Sequence, residues 1–195
     1  MDKAQLLNTM RLEKRTADVA LAYSYIVATG CWHDYFRNLL GAGTMTIGDG
    51  RNDTVLMLPN SKDFPDLYGS NDTVAADGLN LIRVGLRNAV IQSFEGLKNY
   101  CEASGDTETA KWRNVSWYQF ARLLRNSFSH DFRWNFRKHR STEKLRPDLK
   151  VIFSDQAVRF PNSLHGQEIN FSTLSVKHVF ELLNWMDEFA DKELS

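Results

Sequence analysis

Arg125, Asn126 and His130 stand close together in "RNSFSH", and their side chains suit chemistry on a phosphodiester. Histidine exchanges a proton near neutral pH. Arginine grips a phosphate through two parallel hydrogen bonds and stabilises the charge that builds in a transition state. Asparagine can orient either one. Residues four apart share a helix face, which puts Asn126 beside His130, and the long Arg125 side chain can swing toward both. A blander reading stands next to this one. A short Arg-Asn-x-x-x-His also arises by chance, and a histidine at a helix end commonly caps carbonyl groups.

Beyond the motif the chain turns basic and aromatic. Between Asp131 and Lys150, seven Lys and Arg residues face three acids (Asp131, Glu143, Asp148), in a chain whose 24 cations and 24 anions otherwise cancel. Arg133, Arg137, Lys138 and Arg140 are therefore candidate RNA-binding residues, reaching phosphates as point charges or forks. Phe132, Trp134 and Phe136 are interleaved with them. Such aromatics either stack on unpaired bases or bury themselves under the loop, and burial is the commoner use. Other motifs carry less. "CWHD" at Cys31 to Asp34 offers one Cys-x-His without two further ligands, and "GAG" at Gly41 to Gly43 follows a helical stretch where a phosphate cradle would precede one. No metal site and no cofactor are expected.

The elements that must position these residues read as helices around one long insertion. Leu6, Met10, Ala17, Leu21, Ala28, Cys31, Tyr35 and Leu39 fall near one stripe from Ala4 to about Leu40, with a bend or break at Gly30. Residues 41–72 read as an irregular insertion, strand-like only at "TVLMLP". Leu79, Ile82, Leu86, Val90, Phe94, Leu97 and Cys101 step by threes and fours along a second helix, with Glu95 facing either the interior near the motif or water. Ser116 and Gln119 fit a capping box that would open the motif helix, whose inward stripe is Trp117, Phe120, Ala121, Leu124 and Phe128. His130 then belongs near that helix's C-terminal end. Residues 150–171 read as short strands, "KVIF", "AVRF" and "QEINF", and Ser172 or Ser175 caps a last helix. His139, His165 and His178 have no recognisable partners in the sequence. The expected fold is one all-α domain over 1–195, an up-and-down bundle of four or five helices with a small β excursion before the last.

At "LLRNSFSHD" the chain resembles the HEPN (higher eukaryotes and prokaryotes nucleotide-binding) domains, whose signature is an arginine, a polar residue and a following histidine at the end of a late bundle helix. The resemblance implies a metal-independent endoribonuclease acting as a homodimer, in which two copies of the motif build one composite site. It implies that Arg125 binds the scissile phosphate, that His130 acts as general acid or base during 2′-hydroxyl attack, and that Asn126 positions one of them. It further implies RNA as substrate, a toxin or defence role, and an antitoxin or regulatory protein as partner. Members that lack activity serve as RNA-binding, nucleotide-binding or protein-interaction modules, which is the second expectation.

Composition bounds the rest. A chain of 195 residues with 43% hydrophobic and 25% charged residues is an ordinary globular balance, with no polyanionic partner implied by global charge. Two distant cysteines give no disulfide framework. The charged "MDKAQLLNTMRLEKR" lacks an apolar signal core, and no run approaches a membrane span, so the expected location is the cytoplasm, without membrane association. A helix-turn-helix DNA binder is poorly supported, because the basic cluster lies in a loop.

Overall fold

Helical periodicity dominates the chain because its apolar residues recur every three or four positions, and the backbone follows that pattern. In a computed structural model, residues 1–28, 44–47, 54–57, 71–136 and 145–194 are described. Helices α1 (Lys3–Ala28), α2 (Asn71–Ser104), α3 (Asp106–Asn114), α4 (Tyr118–Phe128) and α5 (Val176–Lys192) make the fold all-α. A small hairpin, β3 (Leu149–Ile152) with β4 (Ala157–Phe160), precedes the last helix as expected. Cys31, His33, Gly41 to Gly43, Arg137, Lys138, His139 and Arg140 lie outside the described residues.

The described residues group into two compact units. The smaller, Asp18–Val84, contains the hairpin of β1 (Thr44–Ile47) and β2 (Thr54–Met57), antiparallel with Thr44 opposite Met57. "TVLM" was legible as strand. Its partner "TMTI" lies in the stretch read as irregular, although its alternation of β-branched and apolar residues has a two-residue period. In this unit the buried Ser24 hydroxyl donates to the Gly78 carbonyl at 2.6 Å, tying α1 to α2.

The larger unit, Met1–Ala17 with Gly85–Ser195, carries the motif. Helix α1 opens on a reciprocal cap: the Gln5 amide donates to the Asp2 carboxylate at 2.8 Å, and the Asp2 amide donates to Gln5 Oε1 at 3.1 Å. Along α2 the predicted stripe is buried at Leu86, Val90, Phe94, Leu97 and Cys101. Helix α5 runs antiparallel to α1, since Lys3 Nζ reaches the carbonyls of Asp191 and Leu194 while Lys14 reaches Asn184. Ser175 caps α5 as anticipated, accepting from the Lys177 amide at 3.2 Å.

The capping box expected at Ser116 is not formed. Helix α4 begins at Tyr118 with Trp117 as its N-cap and no side-chain cap bond. Residues 115–118 instead close a tight turn, the Tyr118 amide donating to the Val115 carbonyl. The Trp117 ring packs edge-on against Trp112 at 5.3 Å and against Phe189 at 6.0 Å, so aromatic burial sets how the chain enters α4.

After α4 the backbone reverses. Asp131 and Phe132 both lie in the left-handed region, at φ 52° and 55°, an arrangement that costs about 1–3 kcal/mol per non-glycine residue. The reversal is held on the far side. Phe132 packs on Phe128 at 4.6 Å, the Ile169 amide donates to the Phe132 carbonyl, and the Trp134 amide donates to the Gln167 carbonyl. Thus "QEINF" forms no strand; one bridge, Arg133 with Glu168, pairs it with the segment after the motif. The Ser127 hydroxyl donates to the Leu123 carbonyl and accepts from the Asn135 amide at 3.0 Å, pinning that segment to α4. Trp134 and Phe136 are buried, and Trp134 lies 5.3 Å from Phe160. Base stacking on Trp134 is therefore excluded in this conformation. His178 is likewise buried, stacked on Phe153 at 4.0 Å.

This packing makes Trp134 structural. Trp134→Ala should lower unfolding stability by about 3–5 kcal/mol, as for other buried tryptophans. Urea denaturation followed by far-ultraviolet circular dichroism measures it, and a loss under about 1 kcal/mol would contradict the buried role.

Candidate functional site

Arg125 sits in the last turn of α4, where a cation also favours the helix's negative end. Its guanidinium is clamped. Nε donates to Glu95 Oε1 at 2.5 Å, Nη2 pairs with the same carboxylate, and Nη1 donates to Asn126 Oδ1 at 3.2 Å. Glu95 comes from α2 and therefore faces the motif, one of the two options its position allowed. Lys98 lies 3.8 Å from its other oxygen. The Arg125 side chain remains 29% exposed, so the group is held and still reachable.

Asn126 is buried and His130 is exposed. The shared-face argument fails at this point for a local reason. Helix α4 ends at Phe128, and the His130 amide donates to the Ser127 carbonyl three residues back, in a tighter turn. His130 therefore lies just past the helix end, in a tighter turn than the one that would stack it over Asn126. Among the described residues no side-chain hydrogen bond joins the two, so Arg125 and Asn126 are brought together with Glu95 and His130 is not.

Two cavities flank Asn126. The larger, about 590 Å³, is lined by Glu95, Lys98, Arg113, Arg122, Arg125 and Asn126 together with Phe94, Tyr118 and Gln119. The smaller, about 350 Å³, shares Gln119, Arg122 and Asn126 and adds Leu123, Asn135, Phe136, Arg146, Pro147, Asp148 and Leu149. His130 lines neither. The cations of this groove other than Arg125 escaped the sequence reading. A signal was present: Gln119, Arg122 and Asn126 are spaced three and four apart, one face of α4.

Arg122 has no carboxylate partner among the described residues. Burial pulls its guanidinium below the usual range, the neighbouring Arg146 adds to this and Arg113 contributes, while Tyr118 opposes. Arg146 donates weakly to Gln119 Oε1 at 3.4 Å, and its buried Nε has no partner. Asp148, the carboxylate of the smaller cavity, is already engaged by the Asn162 amide at 2.9 Å and by Arg159 Nε at 3.0 Å. Those contacts, the Asn162 amide foremost and then Arg159, hold its carboxyl below the ordinary value.

Of the four candidate RNA-binding residues, Arg133 alone is described. It is exposed, but its Nη1 donates to the Gly166 carbonyl at 2.9 Å, so part of its fork serves the chain reversal. Cys101 offers no nucleophile. Burial pushes its thiol up to about 11, with Glu108 and then Glu102 adding to the effect. Among the described residues no three His, Cys, Asp or Glu side chains form a metal-ligating group, and no helix is long and apolar enough to cross a membrane. In comparisons with known proteins, the chain matches no family model, no curated protein and no solved structure.

The Asp148 contacts give a pH prediction with a definite sign. A carboxyl whose folded value is depressed stabilises the fold above its unfolded value, and that contribution is lost as pH falls through the folded one. The stability difference between wild type and Asp148→Asn should therefore be constant at pH 5–6 and shrink below about pH 4. Urea midpoints of both proteins across that range test it, and a gap that widens on acidification would refute it.

Proposed function

We propose that the chain is a metal-independent endoribonuclease whose composite site is completed by a second copy of itself. The observation that carries this reading is Arg125, locked by Glu95 and Asn126 yet partly exposed, in the wall of a cavity with four cations and one carboxylate. A guanidinium fixed in this way meets a phosphate without first being ordered. The resemblance at "LLRNSFSHD" supports the same assignment.

In this mechanism the RNA 2′-hydroxyl attacks the adjacent phosphorus. One imidazole, His130 of one protomer, takes the hydroxyl proton. The His130 of its partner gives a proton to the departing 5′-oxygen, leaving a 2′,3′-cyclic phosphate and a 5′-hydroxyl. Arg125 stabilises the added negative charge on the phosphoryl oxygens. The nucleophile already lies beside phosphorus, so no ion is needed to generate it. The exposure of His130 suits contact with a second chain, and RNA is the substrate class. A role as a toxin or in defence, with an antitoxin or regulatory partner, is consistent with this activity.

A binding module without catalysis is the second reading. It is favoured by one observation: Arg125 is already neutralised by Glu95, and His130 lines neither cavity of a single chain. Purified protein incubated with transfer RNA and total RNA in excess EDTA separates the two. Wild type should cut, and His130→Ala and Arg125→Ala should each lose about 10²-fold or more, the usual contribution of an acid–base group or a charge-stabilising donor. Sedimentation should show a dimer at micromolar concentration. Binding without cleavage by wild type would favour the module.

A further inference from the structure

The smaller cavity has features that cutting at Arg125 does not use. Arg122 and Arg146 both line it and feel each other's charge, and its carboxylate, Asp148, is already held by Arg159 and the Asn162 amide. Like charges brought together in a partly buried place repel, and the fold gains nothing from the pair unless an anion joins them. Arg146 also leaves its buried Nε unpartnered. The apolar part of the lining is formed by Leu123, Phe136, Pro147 and Leu149. A volume of about 350 Å³ lies at the low end of small-ligand sites, which run from about 300 to 1,000 Å³. That suits one nucleotide and excludes a duplex.

We propose that this cavity is a mononucleotide subsite, in which Arg122 and Arg146 hold a phosphate while the attached base packs on the Leu123–Leu149 wall. The chemistry recognised is a nucleoside phosphate, and the source assigned is one nucleotide of a single-stranded RNA beside the scissile linkage. The second half of that assignment rests on the ribonuclease reading. Gln119, Arg122 and Asn126 line both cavities, so a strand can pass from one to the other over the α4 face. Asn126 gives its Oδ1 to Arg125, which leaves its carboxamide nitrogen as the donor for the ligand. A base can enter only when unstacked, so the subsite selects single strands and loops.

The test uses a fluorescein-labelled 2′-O-methyl RNA decamer, which lacks the attacking hydroxyl and cannot be cut, bound to the wild-type chain and read by anisotropy. Arg122→Gln and Arg146→Gln, on separate elements, should each weaken binding about tenfold or more and lower the salt slope by about one. Adenosine monophosphate should compete for the decamer, and inorganic phosphate should compete more weakly. Without ligand, both substitutions should leave the melting temperature unchanged or raise it, since they relieve crowding of like charges; a merely structural pair would lower it. Decamer binding and salt slope unchanged in both variants would overturn the subsite. Binding of adenosine monophosphate alone, with no decamer bound, would overturn its assignment to a strand. The two readings fail separately. If the ribonuclease reading alone is wrong, unmodified RNA stays intact while Arg122-dependent binding persists. If the subsite alone is wrong, His130-dependent cutting continues at the wild-type rate in Arg146→Gln, whose residue lines the smaller cavity and not the larger.

Discussion

A guanidinium on a partly buried helix face needs a counter-charge, and Glu95 meets that need for Arg125 across α2 and α4. The consequence reaches beyond the pair. Arg125 becomes a fixed group: its Nε and Nη2 are committed to Glu95 and its Nη1 to Asn126, so its plane is set before any ligand arrives. Glu95 is also the carboxylate that the larger cavity contains. Spent on Arg125, it leaves Lys98, Arg113 and Arg122 to give the groove its sign, in a chain whose total charge is zero. Local excess of this kind steers an anion where net charge cannot.

A second constraint lies at the end of α4. Two consecutive left-handed residues, Asp131 and Phe132, are costly, and they persist because the returning segment is anchored on both sides. The Ser127 hydroxyl ties it to the helix, and backbone bonds tie it to residues 166–169. Gly166, at φ 79°, supplies the facing turn without a side-chain penalty. One reversal thus has two results. It buries Trp134 beneath the returning chain, and it leaves His130 just past the helix end, exposed.

Much of the helical framework was legible because burial on α2 and α5 follows a 3.6-residue period that apolar residues alone reveal. Leu86, Val90, Phe94, Leu97 and Cys101 on α2 and Val179, Leu183, Met186 and Ala190 on α5 are buried where the spacing places them, whereas Leu79 is exposed and Phe180 half-buried. Capping was less legible. Asp2 with Gln5 forms the reciprocal box, while Ser116 with Gln119 has the same pattern and does not, since Trp117 gains more by packing against Trp112 and Phe189. A sequence motif states what a terminus can do; the neighbouring aromatic surface, contributed by distant residues, decides whether it does. The site divides along the same line. Arg125 and Asn126 were visible as neighbours, but Glu95 as their clamp and Arg146 as the companion of Arg122 depend on contacts 30 and 24 positions apart. The face carrying Gln119, Arg122 and Asn126 was readable from spacing and was overshadowed by the more familiar Arg-to-His pattern.

The two arginine environments along α4 differ in a way that bears on function. Arg125 has its carboxylate; three residues earlier, Arg122 has another arginine instead. Were these positions selected for stability alone, a carboxylate or an apolar residue at 122 or 146 would remove the repulsion at little cost to packing. Two half-buried arginines that line one cavity without a carboxylate partner among the described residues are open to an anion from outside the chain. Energy withheld from folding by such a pair is recovered only on binding, since an entering anion would relieve the repulsion.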